Sequence, residues 1–171
     1  MLTNEQEKWI YHLSDADVVT VIPFDLAAEE KFQSVKEKIR KGLGNDVAVE
    51  HHGATSLGIS GQDEIDVYLP VSQDGFESLV QSLKTIFGEP RSYYPSKRAR
   101  FVTTEEGKHI DIFPVNEGSD DWKNLVKFEN ILRNNPTKLE EYRKLKESGN
   151  GLSTREYYRR KLEFINEILG I

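Results

Sequence analysis

The chain has 171 residues, no cysteine and a formal net charge of −6. This length suits one domain with a core of its own. The missing cysteines exclude disulfides, thiolate metal sites and cysteine nucleophiles, and the acidic balance argues against a nucleic-acid partner. No apolar run reaches the about 18 residues of a membrane span. The first residues are too acidic and polar for a signal peptide, so a cytoplasmic protein with no membrane attachment is expected.

The elements follow in chain order. Residues 3–13 suit a short helix with Trp9, Ile10 and Leu13 on one side, an N-terminal extension over 1–17. The β-branched run 18–23 reads as a strand closed by Pro23. Asp25 is placed to cap a helix running to about Lys41, whose Phe32, Val35 and Ile39 recur at helical spacing, and Gly42 and Gly44 stop it. Residues 46–51 alternate as a strand. A glycine-hydroxyl turn follows, and then a strand from Glu64 in which Ile65, Val67 and Leu69 face one way and Glu64, Asp66 and Tyr68 the other. Residues 75–87 form a helix on Phe76, Leu79, Val80, Leu83 and Ile86. Residues 91–94 make a short strand. Residues 98–104 and 108–115 make a hairpin across Glu105-Glu106-Gly107, with His109, Asp111 and Phe113 on one face of its second arm. Three helices complete the chain: 120–134, one capped by Thr137 to about Glu147, and one capped by Ser153 or Thr154 to Leu169. The pattern is α+β: a mixed sheet in a core over 18–118 and a helical subdomain over 119–171.

The spacing of the acids carries the chemistry. Glu64 and Asp66 are i and i+2 on a strand, so both carboxylates leave the same face and can hold one hard cation. Asp111 has the same alternation on a later strand and joins them if the strands are neighbours. Three such carboxylates suit Mg²⁺ or Mn²⁺, which orients a nucleoside triphosphate and neutralises charge on the transferring phosphoryl group. Upstream, Gly53 allows close backbone approach to a phosphate, and Thr55 and Ser56 offer hydroxyl donors. The same residues also fit an ordinary turn leading into a strand. His51 and His52 point to opposite strand faces, so they do not share an ion; a supporting role suits His51 better. Tyr157 and Lys161 are i and i+4 on the last helix. No nucleophile elbow, Walker A loop or dinucleotide fingerprint is present, and His12 has no informative context.

The charge distribution is compatible with an anionic ligand. Residues 121–171 hold 11 Lys+Arg and 8 Asp+Glu, whereas the first 120 hold 12 and 21. A mildly basic tail facing an acidic body suits a phosphorylated small molecule with metal. Solvated helix faces give the same counts.

The segments EHHGATS, IDVYLPV, KHIDIFPV, FENILRNNPTKLEEYRKLK and YYRRKLEFINEIL resemble the GrpB family over nearly the whole chain, about 18–169. The tail pattern falls on Phe128, Leu132, Arg133, Pro136, Tyr142, Lys146, Tyr157 and Lys161; His51 and Asp66 match the family's histidine before the loop and its acidic strand residue. The resemblance implies a bacterial protein with a nucleotidyltransferase-like mixed sheet, helices on one side and a C-terminal helical tail. Related domains occur fused to dephospho-CoA kinase. The chain departs from the family in several places. Gly-Ser-Thr-Ser becomes Gly53-Ala54-Thr55-Ser56, and a Lys-Pro pair becomes Gln62-Asp63. Glu64 replaces an apolar residue, and His109-Ile110-Asp111 replaces His-x-His. The last two changes resemble the acid triad of active nucleotidyltransferases; the first two remove a hydroxyl and a phosphate contact.

Two functions are therefore expected. The first is Mg²⁺-dependent nucleotidyl transfer from a triphosphate to a small acceptor. Glu64, Asp66 and Asp111 are its metal and catalytic residues, and Gly53, Thr55, Ser56, Arg133, Lys146 and Lys161 face the phosphates. His51, His109 and Tyr157 support them. The second is a module that binds a nucleotide or CoA-type ligand without chemistry.

Overall fold

A computed structural model describes residues Met1–Ile171. Helix α1 (Asn4–Tyr11) is closed at its start by a reciprocal Thr3–Gln6 capping box. Helix α2 (Ala28–Leu43) buries Ala28, Phe32, Val35 and Ile39. Then come strand β1 (Glu50–His52), the single turn α3 (Gly53–Ser56), strand β2 (Glu64–Val71) and helix α4 (Gln73–Phe87). Strands β3 (Ser92–Tyr94), β4 (Arg98–Glu105) and β5 (Lys108–Asn116) complete the sheet, and helices α5 (Asp120–Asn134), α6 (Pro136–Ser148) and α7 (Thr154–Leu169) follow. The β4–β5 turn is tighter than expected. Its two residues Glu106 and Gly107 sit at φ 48° and 76°, the backbone of a primed hairpin turn, which asks for glycine at the second position.

The five strands run β1-β2-β5-β4-β3. β2 and β5 are parallel, and the other pairs are antiparallel, so the sheet is mixed. One face packs on α2 and α4 through a core that includes Phe32, Ile39, Ile65, Val67, Leu69, Phe76, Phe101, Ile110 and Ile112. Each such side chain withdraws apolar surface worth about 1.5–3 kcal/mol. The C-terminal helices hold a second cluster on Ile59, Phe128, Leu132, Tyr142 and Leu169. None of the helices is long and apolar enough to cross a membrane.

Four local expectations are corrected. Asp25 is not the cap of α2: Ala27 holds that position without a side-chain cap bond, and the Asp25 carboxylate accepts from Ala27 N–H and Lys31 Nζ instead. Residues 18–23 are no sheet strand: Val18 and Ile22 make single bridges to Ser153 and Gly61. The segment straps the turn before α7 instead, with Val19 N–H donating to the Leu152 carbonyl and Gly151 N–H to that of Val19. Its β-branched residues fit an extended backbone, but no strand lies alongside, and Pro23 lacks the N–H to extend a ladder. The strand expected over 46–51 begins only at Glu50. Helix α6 is capped by Asn135, whose side chain accepts from Lys138 N–H with Pro136 in the first turn, and not by Thr137.

Candidate functional site

The register of β2 against β5 sets the site. Glu64 lies opposite His109 and Asp66 opposite Asp111. Ile65, Val67, Ile110 and Ile112 fill the α2–α4 core, so alternation sends Glu64, Asp66, His109 and Asp111 out of the opposite face, toward the C-terminal helices. Further along the same face Tyr68 stacks on Phe113 at 4.8 Å. The parallel pairing thus brings together the three acids expected from sequence, with a histidine added.

Donor atoms of Glu64, His109 and Asp111 all lie within 4.8 Å of one another. Donors about 2.1 Å from one ion stand roughly 3–4.2 Å apart, so small side-chain adjustments let these three hold a single cation. The donor set, two carboxylates and an imidazole, fits a divalent metal. Asp66 falls outside this tightest group. Asp111 is buried and already engaged. Arg100 Nε donates to its Oδ1 at 2.8 Å and Nη2 to its Oδ2 at 3.3 Å, while His109 Nε2 reaches Oδ1 at 3.0 Å.

The other two acids lack such partners. Glu64 and Asp66 make no side-chain hydrogen bond or ion pair, and neither do Lys146 and Lys161, which face them from α6 and α7. Burial, with the Asp111 charge, raises the pKa of Glu64. Burial, with Glu64, pushes Asp66 up to about 7, against the pull of Lys161. Burial and Lys161 bring Lys146 down to about 7. The Lys146 ammonium sits 5.3 Å and 5.9 Å from the ring centres of Tyr142 and Tyr157. The Tyr157 hydroxyl is buried without a partner. The pKa of Lys161 is raised, with the phenol oxygen of Tyr142 as the largest influence, against burial, and with Tyr158, Tyr157 and Asp66 adding to the effect.

The glycine-hydroxyl turn packs against this wall, with Gly53 N–H and its two hydroxyls turned to protein. Gly53 is at φ 77°, and a side chain there would fall on the Asp66 carboxylate. Only glycine meets both demands. Gly53 N–H donates to the buried Glu129 carboxylate at 2.7 Å. The same carboxylate binds His52 Nδ1 at 2.9 Å and Arg133 Nη2 at 3.2 Å. Burial works against a charged His52, but Glu129 and Glu50 outweigh it and raise its pKa. Arg133 also donates to the Ser56 carbonyl and hydroxyl, and Ser56 Oγ donates to the Gly53 carbonyl. Thr55 Oγ meets His51 Nε2 at 2.9 Å, while His51 Nδ1 meets Glu29 and its ring stacks on Phe32, on the α2 side of the sheet. His51 and His52 do face opposite ways. Thr55, Ser56 and Arg133 thus brace the turn, while Lys146 and Lys161 are the basic groups that approach the acids.

The sequence reading missed Arg100, Glu129 and Glu29. Arg100 was within reach of it. Arg98 and Arg100 alternate with buried Ala99 and Phe101, and once Val102 is set opposite Asp111, Arg100 is its diagonal neighbour on the polar face. Glu129 leaves only a faint trace, an acid four residues before Arg133 beside the buried Phe128.

This architecture, an α+β mixed sheet with its acids at the β2–β5 junction beneath a helical tail, is a nucleotidyltransferase-like fold. The family model for "GrpB protein" matches residues 18–170, and the chain belongs to the GrpB family. It is 29% identical over 127 residues to the UPF0157 protein VC_A0354 of Vibrio cholerae, covering 73% of this chain and 67% of that one. It also superposes on the crystal structure of the conserved protein GrpB from Enterococcus faecalis. The TM-score is 0.67 at 20% identity, covering 88% of this chain and 97% of the other, which is a likeness of fold.

Proposed function

We propose that the polar face of β2 and β5 binds a divalent cation together with the phosphates of a nucleoside triphosphate, and that the chain transfers a nucleotidyl group to a small acceptor. The observation that carries this is the facing set of ionisable groups without hydrogen-bond partners: Glu64 and Asp66 on the sheet, Lys146 and Lys161 on the helices. Partly buried charges without partners are costly, and a phosphate-bound cation satisfies both signs at once. Glu64, Asp66 and Asp111 would hold Mg²⁺ or Mn²⁺, which supplies charge neutralisation at the transferring phosphorus. Lys146 and Lys161 orient the phosphate oxygens. Asp66, its pKa raised by burial while no cation is bound, would be held ionised by the cation, with Lys161 adding to the pull. Gly53 makes room for that carboxylate, and His51, Thr55, Ser56 and Arg133 fix the turn that carries Gly53.

A second reading rests on a different observation. The hydroxyls expected to cradle phosphate meet His51 and Arg133, and Gly53 N–H is taken by Glu129. A module that binds a nucleotide or CoA-type ligand through its lysines, without chemistry, accounts for this as well. Incubation with each labelled triphosphate and Mg²⁺ or Mn²⁺ separates the two. Pyrophosphate release that disappears in Asp66→Asn supports transfer. Ligand binding that is indifferent to metal, with no turnover over hours, supports the module.

A further inference from the structure

The residues that come closest to enclosing an ion are not three acids. Glu64, His109 and Asp111 form the tight group, and Asp66, held against Gly53, lies outside it. A set with one imidazole nitrogen and two carboxylates differs in kind from an all-oxygen set. Mg²⁺ prefers oxygen ligands and retains water, whereas Mn²⁺, Co²⁺ and Zn²⁺ accept imidazole readily. The geometry between His109 and Asp111 suits direct ligation. Their facing atoms are 3.0 Å apart, and two donors about 2.1 Å from an ion at a right angle lie roughly 3 Å apart. An ion that replaces the ring proton would sit about 1.5 Å to the side of the line joining these two atoms, within reach of both once the imidazole turns toward it.

A positive group already stands beside this position. Arg100 spans both oxygens of Asp111, and its side chain is 40% exposed while that of Asp111 is 6% exposed. An arginine with this much solvent access can swing outward, and the buried carboxylate cannot follow it. Arg100 is thus arranged as a replaceable counter-ion: it neutralises Asp111 when no metal is bound, and it competes with an incoming cation.

We propose that Glu64, His109 and Asp111 form a site selective for a first-row transition-metal ion over Mg²⁺, and that Arg100 holds the cation's place and is displaced by it. The inference rests on the reading that a cation binds this face, but it does not depend on transfer chemistry.

Titration calorimetry on the chelator-treated protein, with Mn²⁺, Zn²⁺ or Mg²⁺ as chloride salts, provides the test. Mn²⁺ and Zn²⁺ are expected to bind with one ion per chain and at least tenfold more tightly than Mg²⁺. His109→Gln should weaken Mn²⁺ and Zn²⁺ by tenfold or more and change Mg²⁺ by less than threefold. Arg100→Gln should tighten Mn²⁺ binding several-fold, because a competing positive charge is gone. Pulsed electron paramagnetic resonance of Mn²⁺ bound to the unmodified protein should show coupling to an imidazole nitrogen, a readout independent of how any variant folds. Equal affinities for Mn²⁺ and Mg²⁺, no nitrogen coupling, or weaker binding in Arg100→Gln overturns the proposal. Turnover with Mg²⁺ and no metal preference would refute this inference and leave the transfer reading standing. Selective Mn²⁺ binding without turnover would do the reverse.

Discussion

Glu129 is the hub that holds the glycine turn, and removing it is the sharpest test of how the site is built. Its carboxylate is 4% exposed and takes Gly53 N–H at 2.7 Å, His52 at 2.9 Å and Arg133 at 3.2 Å. Glu129→Ala leaves a raised-pKa histidine with only the half-exposed Glu50, and a backbone N–H with no acceptor. Breaking a buried pair by deleting one partner costs about 3–5 kcal/mol, and the bare N–H adds a cost that is not additive with it. In a chain of this size each kcal/mol lowers Tm by about 2–4 °C, so Glu129→Ala should lose about 6–20 °C. Glu129→Gln keeps an acceptor for Gly53 and should lose roughly half as much. The effect should depend on pH. The folded pKa of His52 is raised above 6.5, so the histidine's contribution is complete below 6.5 and is lost as pH rises through the raised value. The penalty of Glu129→Ala should therefore be larger at pH 6 than at pH 9, and should shrink in a His52→Gln background. Chemical and thermal denaturation followed by circular dichroism measure all of this. A penalty below about 1 kcal/mol at pH 6, or one that grows with pH, would refute the reasoning.

Other outcomes follow from the same contacts. In chelator, Asp66→Asn should raise Tm at pH 8 and leave it unchanged near pH 4. A carboxyl pushed from 3.8 up to about 7 loses stability as pH rises across that window, by at most about 4 kcal/mol. Gly53→Ala should cost at least about 1–2 kcal/mol in denaturant melts from its φ of 77° alone, with a further loss as the new methyl displaces Asp66. Tyr157→Phe should change the stability of the ligand-free protein by less than about 1 kcal/mol, since the buried hydroxyl it removes bonds to nothing. If that hydroxyl serves a ligand, the same variant should weaken nucleotide affinity in a titration.

What could be read from the chain and what could not divide along a physical line. Periodicity fixes the facing of a residue within its own element, and there the sequence was informative. Glu64 and Asp66 leave one side of β2, Asp111 leaves the matching side of β5, and His51 and His52 diverge. Which strands become neighbours is a non-local matter. The parallel contact of β2 with β5, on which the whole acid cluster depends, had to be supposed. The run 18–23 has the composition of a strand and the fate of a strap because strand propensity reports an extended backbone, not a partner. Hydroxyl residues after a glycine look like phosphate donors because nothing local says that His51 and Arg133 already hold Thr55 and Ser56.

The same division explains why the site depends on the tail. The sheet alone presents Glu64, Asp66 and Asp111 as crowded negative charge, and only Asp111 is balanced within the sheet, by Arg100. The remaining positive charge comes from α6 and α7, through Lys146 and Lys161, and the turn that seats Asp66 is tied to α5 through Glu129 and Arg133. Phe128, Leu132 and Tyr142, packed with Leu169, set where those helices lie. A cavity-forming change in this second cluster, such as Leu132→Ala, should therefore disturb ligand or metal binding as well as stability. An equal cavity in the α2–α4 core, such as Leu83→Ala, should lower stability while leaving the charges of the site in register.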